Sequence, residues 1–64
     1  MANPYVKSVL DVADYNVRCA EENLAHRRSH PHEDPVWRIY EIIEGEEQVK
    51  MSQAVADRLR REMR

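Results

Sequence analysis

The first third of the sequence carries an unbroken apolar stripe. Apolar residues recur at alternating spacings of four and three, at Val6, Leu10, Ala13, Val17, Ala20 and Leu24. No glycine or proline occurs between this segment's first turn and its end. Because this spacing places every member of the stripe on one side of a helix, we predict an amphipathic helix whose apolar side other elements must cover.

The predicted helix has recognisable ends. Asn3 followed by Pro4 is a favourable start, since asparagine caps orphan backbone donors and proline suits the first helical position. His26, Arg27 and Arg28 fall in the last turn, where positive charge complements the helix dipole. The helix is therefore predicted to span about residues 4–27.

A second apolar sector lies beside the stripe. It consists of Tyr5, Val9 and Val12, with Cys19 at its margin as a half-buried structural thiol. Together the two sectors make the N-terminal half apolar over roughly 160°, wider than the usual stripe of about 100°. One packed neighbour cannot cover so wide a surface, so we expect Tyr5, Val9 and Val12 to contact a second protein chain.

Residues 29–35 are the one convincing break in the helical pattern. Pro31 and Pro35 lack backbone donors and disfavour a helical conformation in the residue before each of them. Asp34 before Pro35 repeats the pattern of a cap followed by proline, so a second helix is predicted to begin at Pro35 after a Pro-rich loop at 29–34. A loop of this length suits an antiparallel helical hairpin.

The second helix contains two apolar groups that do not share a face. The first and bulkier group is Val36, Trp37, Ile39, Tyr40, Ile42 and Ile43. In a straight helix the later apolar residues, which include Val49, Ala56 and Leu59, would lie on nearly the opposite side. Either the helix breaks at Gly45 as its C-terminal cap, or it continues and its halves face different partners. We predict a helix over about 35–62 that is bent or broken near Gly45.

The short length limits the core that the chain can form alone. At 64 residues it is one small domain, and a chain of this size buries only about 60% of its unfolded surface. Its single cysteine, Cys19, excludes an internal disulfide, so another copy of the chain is the simplest source of additional packing. We therefore predict an all-α fold, one domain over residues 1–64, completed as a homodimeric bundle.

Candidate chemical sites are few. A loop containing His26, His30 and His32 with neighbouring acids has zinc-competent side chains, but its spacing matches no known finger, and a solvated loop is the favoured interpretation. No Gly-rich phosphate loop, nucleotide fingerprint or ordered catalytic triad occurs. We expect a protein that is not an enzyme and binds no metal or cofactor.

Charge is nearly balanced, at a formal −2, but it is segregated into an acidic middle and a basic C-terminal end. The basic side chains Arg58, Arg60, Arg61 and Arg64 support an alternative function, a small dimeric nucleic-acid-binding regulator. A helix-turn-helix around Gly45 is disfavoured, because Glu46 and Glu47 would open the recognition helix and repel phosphates.

The favoured function is protein binding. Trp37 and Tyr40 are residue types that dominate interface energetics, although the only tryptophan could equally serve the core. With acidic Glu41 and Glu44 nearby, they predict a small regulator, adaptor or inhibitor acting on a larger protein. Small acidic helical proteins are also typical of inhibitors encoded by viruses and mobile elements. Charged residues in the first 25 positions argue against a signal peptide and no membrane span is evident, so we expect a cytoplasmic protein.

Overall fold

The computed structural model describes the backbone of residues 4–63 and the side chains of residues 9–63. It contains two helices, α1 over Pro4–Ser29 and α2 over Pro35–Glu62, which pack against each other as a hairpin. No strand occurs within residues 4–63. The predicted all-α hairpin is confirmed, with α1 extending two residues past its predicted end.

The start of α2 follows from its sequence. Asp34 has an extended backbone, and its Oδ1 accepts hydrogen bonds from the backbone amides of Val36 at 2.8 Å and Trp37 at 3.4 Å. One side chain therefore satisfies two of the unpaired amides at the start of the helix. Pro35 occupies the first helical position. The corresponding prediction for α1, capping by Asn3, lies outside the described residues.

The core between the helices consists of small side chains. Its buried residues are Ala13, Ala20 and Leu24 from α1, and Gly45 and Ala56 from α2. Leu10 and Val17 are half-buried, so the predicted stripe of α1 is the surface that contacts α2 wherever its side chains are described. The side chain of Val6 lies outside that part of the chain.

Gly45 does not interrupt α2, so of the bend or break predicted near this residue, the break is wrong. The helix continues through position 45, and no described glycine has a positive φ, so Gly45 is not a left-handed C-cap. A Cβ atom at this position would lie 2.9 Å from Leu24 Cδ1. Glycine at this position therefore allows close approach of α1. Most of the bulky apolar side chains in the first half of α2 lie on other faces, although Ile42 is half-buried.

The hairpin is long and thin. Its principal extents are 52 × 16 × 12 Å, and its radius of gyration is 15.0 Å. A compact domain of this length has a radius of gyration of about 11 Å. Neither helix has, within the described residues, an apolar stretch of the length that crossing a bilayer requires. Two helices side by side form a single layer, so both broad sides of the hairpin remain open.

Candidate protein-binding surfaces

Three large aliphatic side chains near the start of α2 form what we call the outer strip, Val36, Ile39 and Ile43. Their exposed fractions are 75%, 61% and 56%. At 100° per residue they lie about 120–180° around α2 from Gly45, on the side away from α1. Because α1 cannot reach this side, the strip is left in solvent by the hairpin.

Two aromatic residues lie beside the outer strip. The rings of Trp37 and Tyr40 pack edge to face, with centroids 5.4 Å apart and an interplanar angle of 87°. Both are about half-exposed, and with Val36 they line a shallow apolar hollow of about 210 Å³. Trp37 therefore lies outside the core. Of the two roles predicted for it, in the core or at an interface, only the interface role is compatible with this position.

Arg27 of α1 contacts both predicted acidic residues, Glu41 through its backbone oxygen and Glu44 through its carboxylate. Arg27 donates through Nη1 to the backbone oxygen of Glu41 at 2.8 Å, and through Nη2 to Glu44 Oε1 at 3.1 Å. Hydrogen bonds from Tyr40 and Arg27 hold the pKa of Glu44 below its ordinary value, and hydrogen bonding to the same carboxylate raises the pKa of Tyr40. Sequence reasoning assigned Arg27 only to the helix dipole, because its partners are distant in sequence.

The second sector of α1 is exposed as expected. Val12 is 55% exposed and Val9 37%, while the Tyr5 side chain lies outside the described residues. Cys19 is exposed rather than half-buried, since it lies further around α1 than α2 reaches. Tyr15, which belongs to neither predicted sector, is also exposed, and hydrogen bonding with Cys19 raises its pKa.

The arginines of the C-terminal end are partly paired with carboxylates. Arg60 forms a salt bridge to Asp14 across the two helices and a second to Asp57 at 3.5 Å. Arg58 lies 3.8 Å from Glu62. Arg61 lines a shallow polar groove with Arg60 and Asp57, and Arg64 lies outside the described residues. Two of the four arginines predicted to contact nucleic acid, Arg58 and Arg60, thus form ion pairs within the hairpin.

The histidine-containing loop is held by local contacts. The rings of His26 and His30 stack with centroids 4.4 Å apart, and His32 accepts a hydrogen bond from the Asp34 amide. Across the side chains that the structure describes, no group of three or more histidine, cysteine, aspartate or glutamate residues is arranged to hold a metal ion.

The fold and these surfaces define a class, a helical hairpin with large apolar side chains on faces that its own packing does not use. No family model, no curated protein and no solved structure matches the chain.

Proposed function

We propose that this protein is a non-enzymatic interaction module, a small regulator, adaptor or inhibitor that presents the first turns of α2 to a larger protein. The observation that carries the proposal is the outer strip. Val36, Ile39 and Ile43 have the i, i+3, i+7 spacing with which an amphipathic helix inserts into an apolar groove. These side chains have no role in the hairpin core, so a bound partner can bury them.

The size of the three side chains of the outer strip supports a role in binding. Complete burial of one valine or isoleucine side chain contributes about 1.5–3 kcal/mol, so three of them supply a substantial part of a binding free energy. Packing against α1 keeps α2 helical before it binds. The loss of conformational entropy on binding is therefore smaller than it would be for a free peptide of the same sequence.

The charges around the outer strip indicate the chemistry of the target. Glu33 lies in the loop before α2, and Glu46 and Glu47 lie one turn beyond Ile43; all three are exposed. Only Glu47 has a basic neighbour, Lys50 at 3.7 Å, among the described ion pairs of this rim. We therefore expect a target groove that is apolar at its centre and basic at its edge.

The test is a crosslinking experiment with matched variants. A photo-reactive amino acid placed at Glu46, beside the outer strip, is used to capture the target in cells of the native host, and the captured protein is then purified and its binding measured directly. The strip variant carries Ile39→Ser and Ile43→Ser. The control carries Tyr15→Ser and Met63→Ser, which are also exposed but lie away from the outer strip, on α1 and at the C-terminal end of α2.

The proposal expects one protein to be captured by the wild type and the control, with at least a tenfold loss of direct affinity in the strip variant. Added salt should slow its association through the acidic rim. Capture that is equal in the strip variant, with helicity retained by circular dichroism, would refute it. The nucleic-acid alternative is not carried forward, because Arg58 and Arg60 are engaged with carboxylates.

A further inference from the structure

One broad side of the hairpin is mostly uncharged, and its few charged side chains pair with one another. We call it the uncharged face. Its α1 row is Val9, Val12, Asn16, Cys19 and Asn23, and its α2 row is Trp37, Tyr40, Gln48, Met51 and Val55. The two rows meet at a groove of about 220 Å³ that Asn16, Met51 and Val55 line together with core residues. From this face we propose that the protein forms a homodimer in which a second copy of the chain covers the same face, giving a four-helix bundle.

The absence of unpaired charge is the first argument. In this chain 34% of residues are charged, yet the charged side chains on this side of the two helices form ion pairs with one another, Arg27 with Glu44 and Arg58 with Glu62. A two-fold dimer places a surface against itself, so unpaired charges there would face like charges. The opposite groove would not suit this packing, because Asp11, Asp14, Arg18, Asp57 and Arg60 line it.

The exposed area is the second argument. The accessible surface of the chain is 5394 Å², whereas a folded monomer of this mass typically exposes about 4,300 Å². The excess of about 1,100 Å² exceeds the roughly 800 Å² that each partner buries in an interface of standard size. A second copy that buries roughly 800 Å² on the uncharged face would therefore bring the exposed surface of each chain to about 4,600 Å², close to the ordinary value.

The direction of the face around each helix is the third argument. At 100° per residue, the α1 row is centred about 90° around its helix from the side that contacts α2, and the α2 row about 110° from the side that contacts α1. Each helix of a four-helix bundle contacts two neighbours in roughly perpendicular directions. The outer strip lies on neither of these sides, so it stays exposed in the dimer, and the two proposals can fail separately.

The experiment measures molar mass by light scattering and sedimentation equilibrium from micromolar to millimolar concentration. The wild type is expected at twice the 7.6 kDa of the single chain, with a melting temperature that rises with concentration. Val12→Glu should weaken the dimer at least a hundredfold, because each copy would place a carboxylate in the apolar contact. The matched control is Ile39→Glu on the outer strip, which is 61% exposed against 55% for Val12 and should leave the dimer intact.

A second measurement covers the case in which Val12→Glu fails to fold. Trp37 fluorescence of the wild type should shift to longer wavelength on dilution, and Cys19 should become more reactive towards a thiol reagent over the same concentration range, with helicity unchanged. A 7.6 kDa species at every concentration would overturn the proposal and leave the face to a different protein. A dimer that Ile39→Glu disrupts and Val12→Glu does not would overturn it equally.

Discussion

Gly45 of α2 lies directly against Leu24 of α1. A Cβ atom added to Gly45 would be 2.9 Å from Leu24 Cδ1 and 3.6 Å from Leu24 Cβ. The two helices therefore pack closely at a point where one contributes a buried leucine and the other contributes no side chain. The same glycine gives up helix propensity, which costs about 1 kcal/mol relative to alanine.

A double-mutant cycle between these two positions tests that balance. Gly45→Ala in the wild type should change the free energy of unfolding by less than about 1 kcal/mol, because the gain in propensity is offset by displacement of the Leu24 methyl group. In a Leu24→Val background, which lacks the δ carbons, the same substitution should stabilise by about 1 kcal/mol. Urea unfolding at a fixed protein concentration measures both, and equal effects in the two backgrounds would contradict the contact.

Ala56 is predicted to tolerate no enlargement. It is 1% exposed in the contact between the helices, whereas Ala54, on the same helix, is exposed. Ala56→Leu should destabilise the hairpin by about 1–3 kcal/mol through overpacking. Ala54→Leu is the control and should stay within about 0.5 kcal/mol of the wild type. Thermal melts followed by circular dichroism compare the two; similar melting temperatures would argue against the close helix contact.

Asp34→Ala should remove the N-terminal cap of α2. The substitution leaves the Val36 amide without its 2.8 Å acceptor and should cost about 1 kcal/mol of stability. Glu33→Ala, one residue earlier and also exposed, is the control and should have little effect. Amide hydrogen exchange at Val36 provides a local readout, and unchanged protection there in Asp34→Ala would exclude the cap.

Tyr40 and Glu44 should titrate as linked groups. Glu44 ionises below its ordinary pKa of 4.5 in the folded chain, so its contribution to stability is present above pH 4.5 and is lost as pH falls through the lowered folded value. Glu44→Gln should therefore reduce stability at neutral pH and converge with the wild type in acid. It should also move the pKa of Tyr40 down towards 10.0, since hydrogen bonding to the carboxylate raises it.

Nuclear magnetic resonance of ring-labelled tyrosine follows that titration directly. Glu46→Gln is the control, because Glu46 lies outside the contact between Tyr40 and Glu44. A Tyr40 pKa that moves equally in both variants would show that the general charge of the chain, rather than the Glu44 contact, sets it.

Local sequence features determined the two helices, the loop between them and the side of α1 that is covered. The proline at each helix start, the cap at Asp34 and the alternating spacing from Leu10 to Leu24 each act within a few residues. Such signals are readable from the chain because they depend on backbone geometry and on the 3.6-residue period alone.

Only the tertiary structure decided what Gly45, Arg27 and Cys19 do. Glycine suits both a helix end and a close crossing, and the presence of Leu24 opposite Gly45 selects the second. Arg27 contacts Glu44 17 residues away, a separation at which the contact depends on how the hairpin closes. Closure also fixes which apolar residues are left over, because α1 covers one side of α2 and the bulky side chains from Val36 to Ile43 lie mostly on the others.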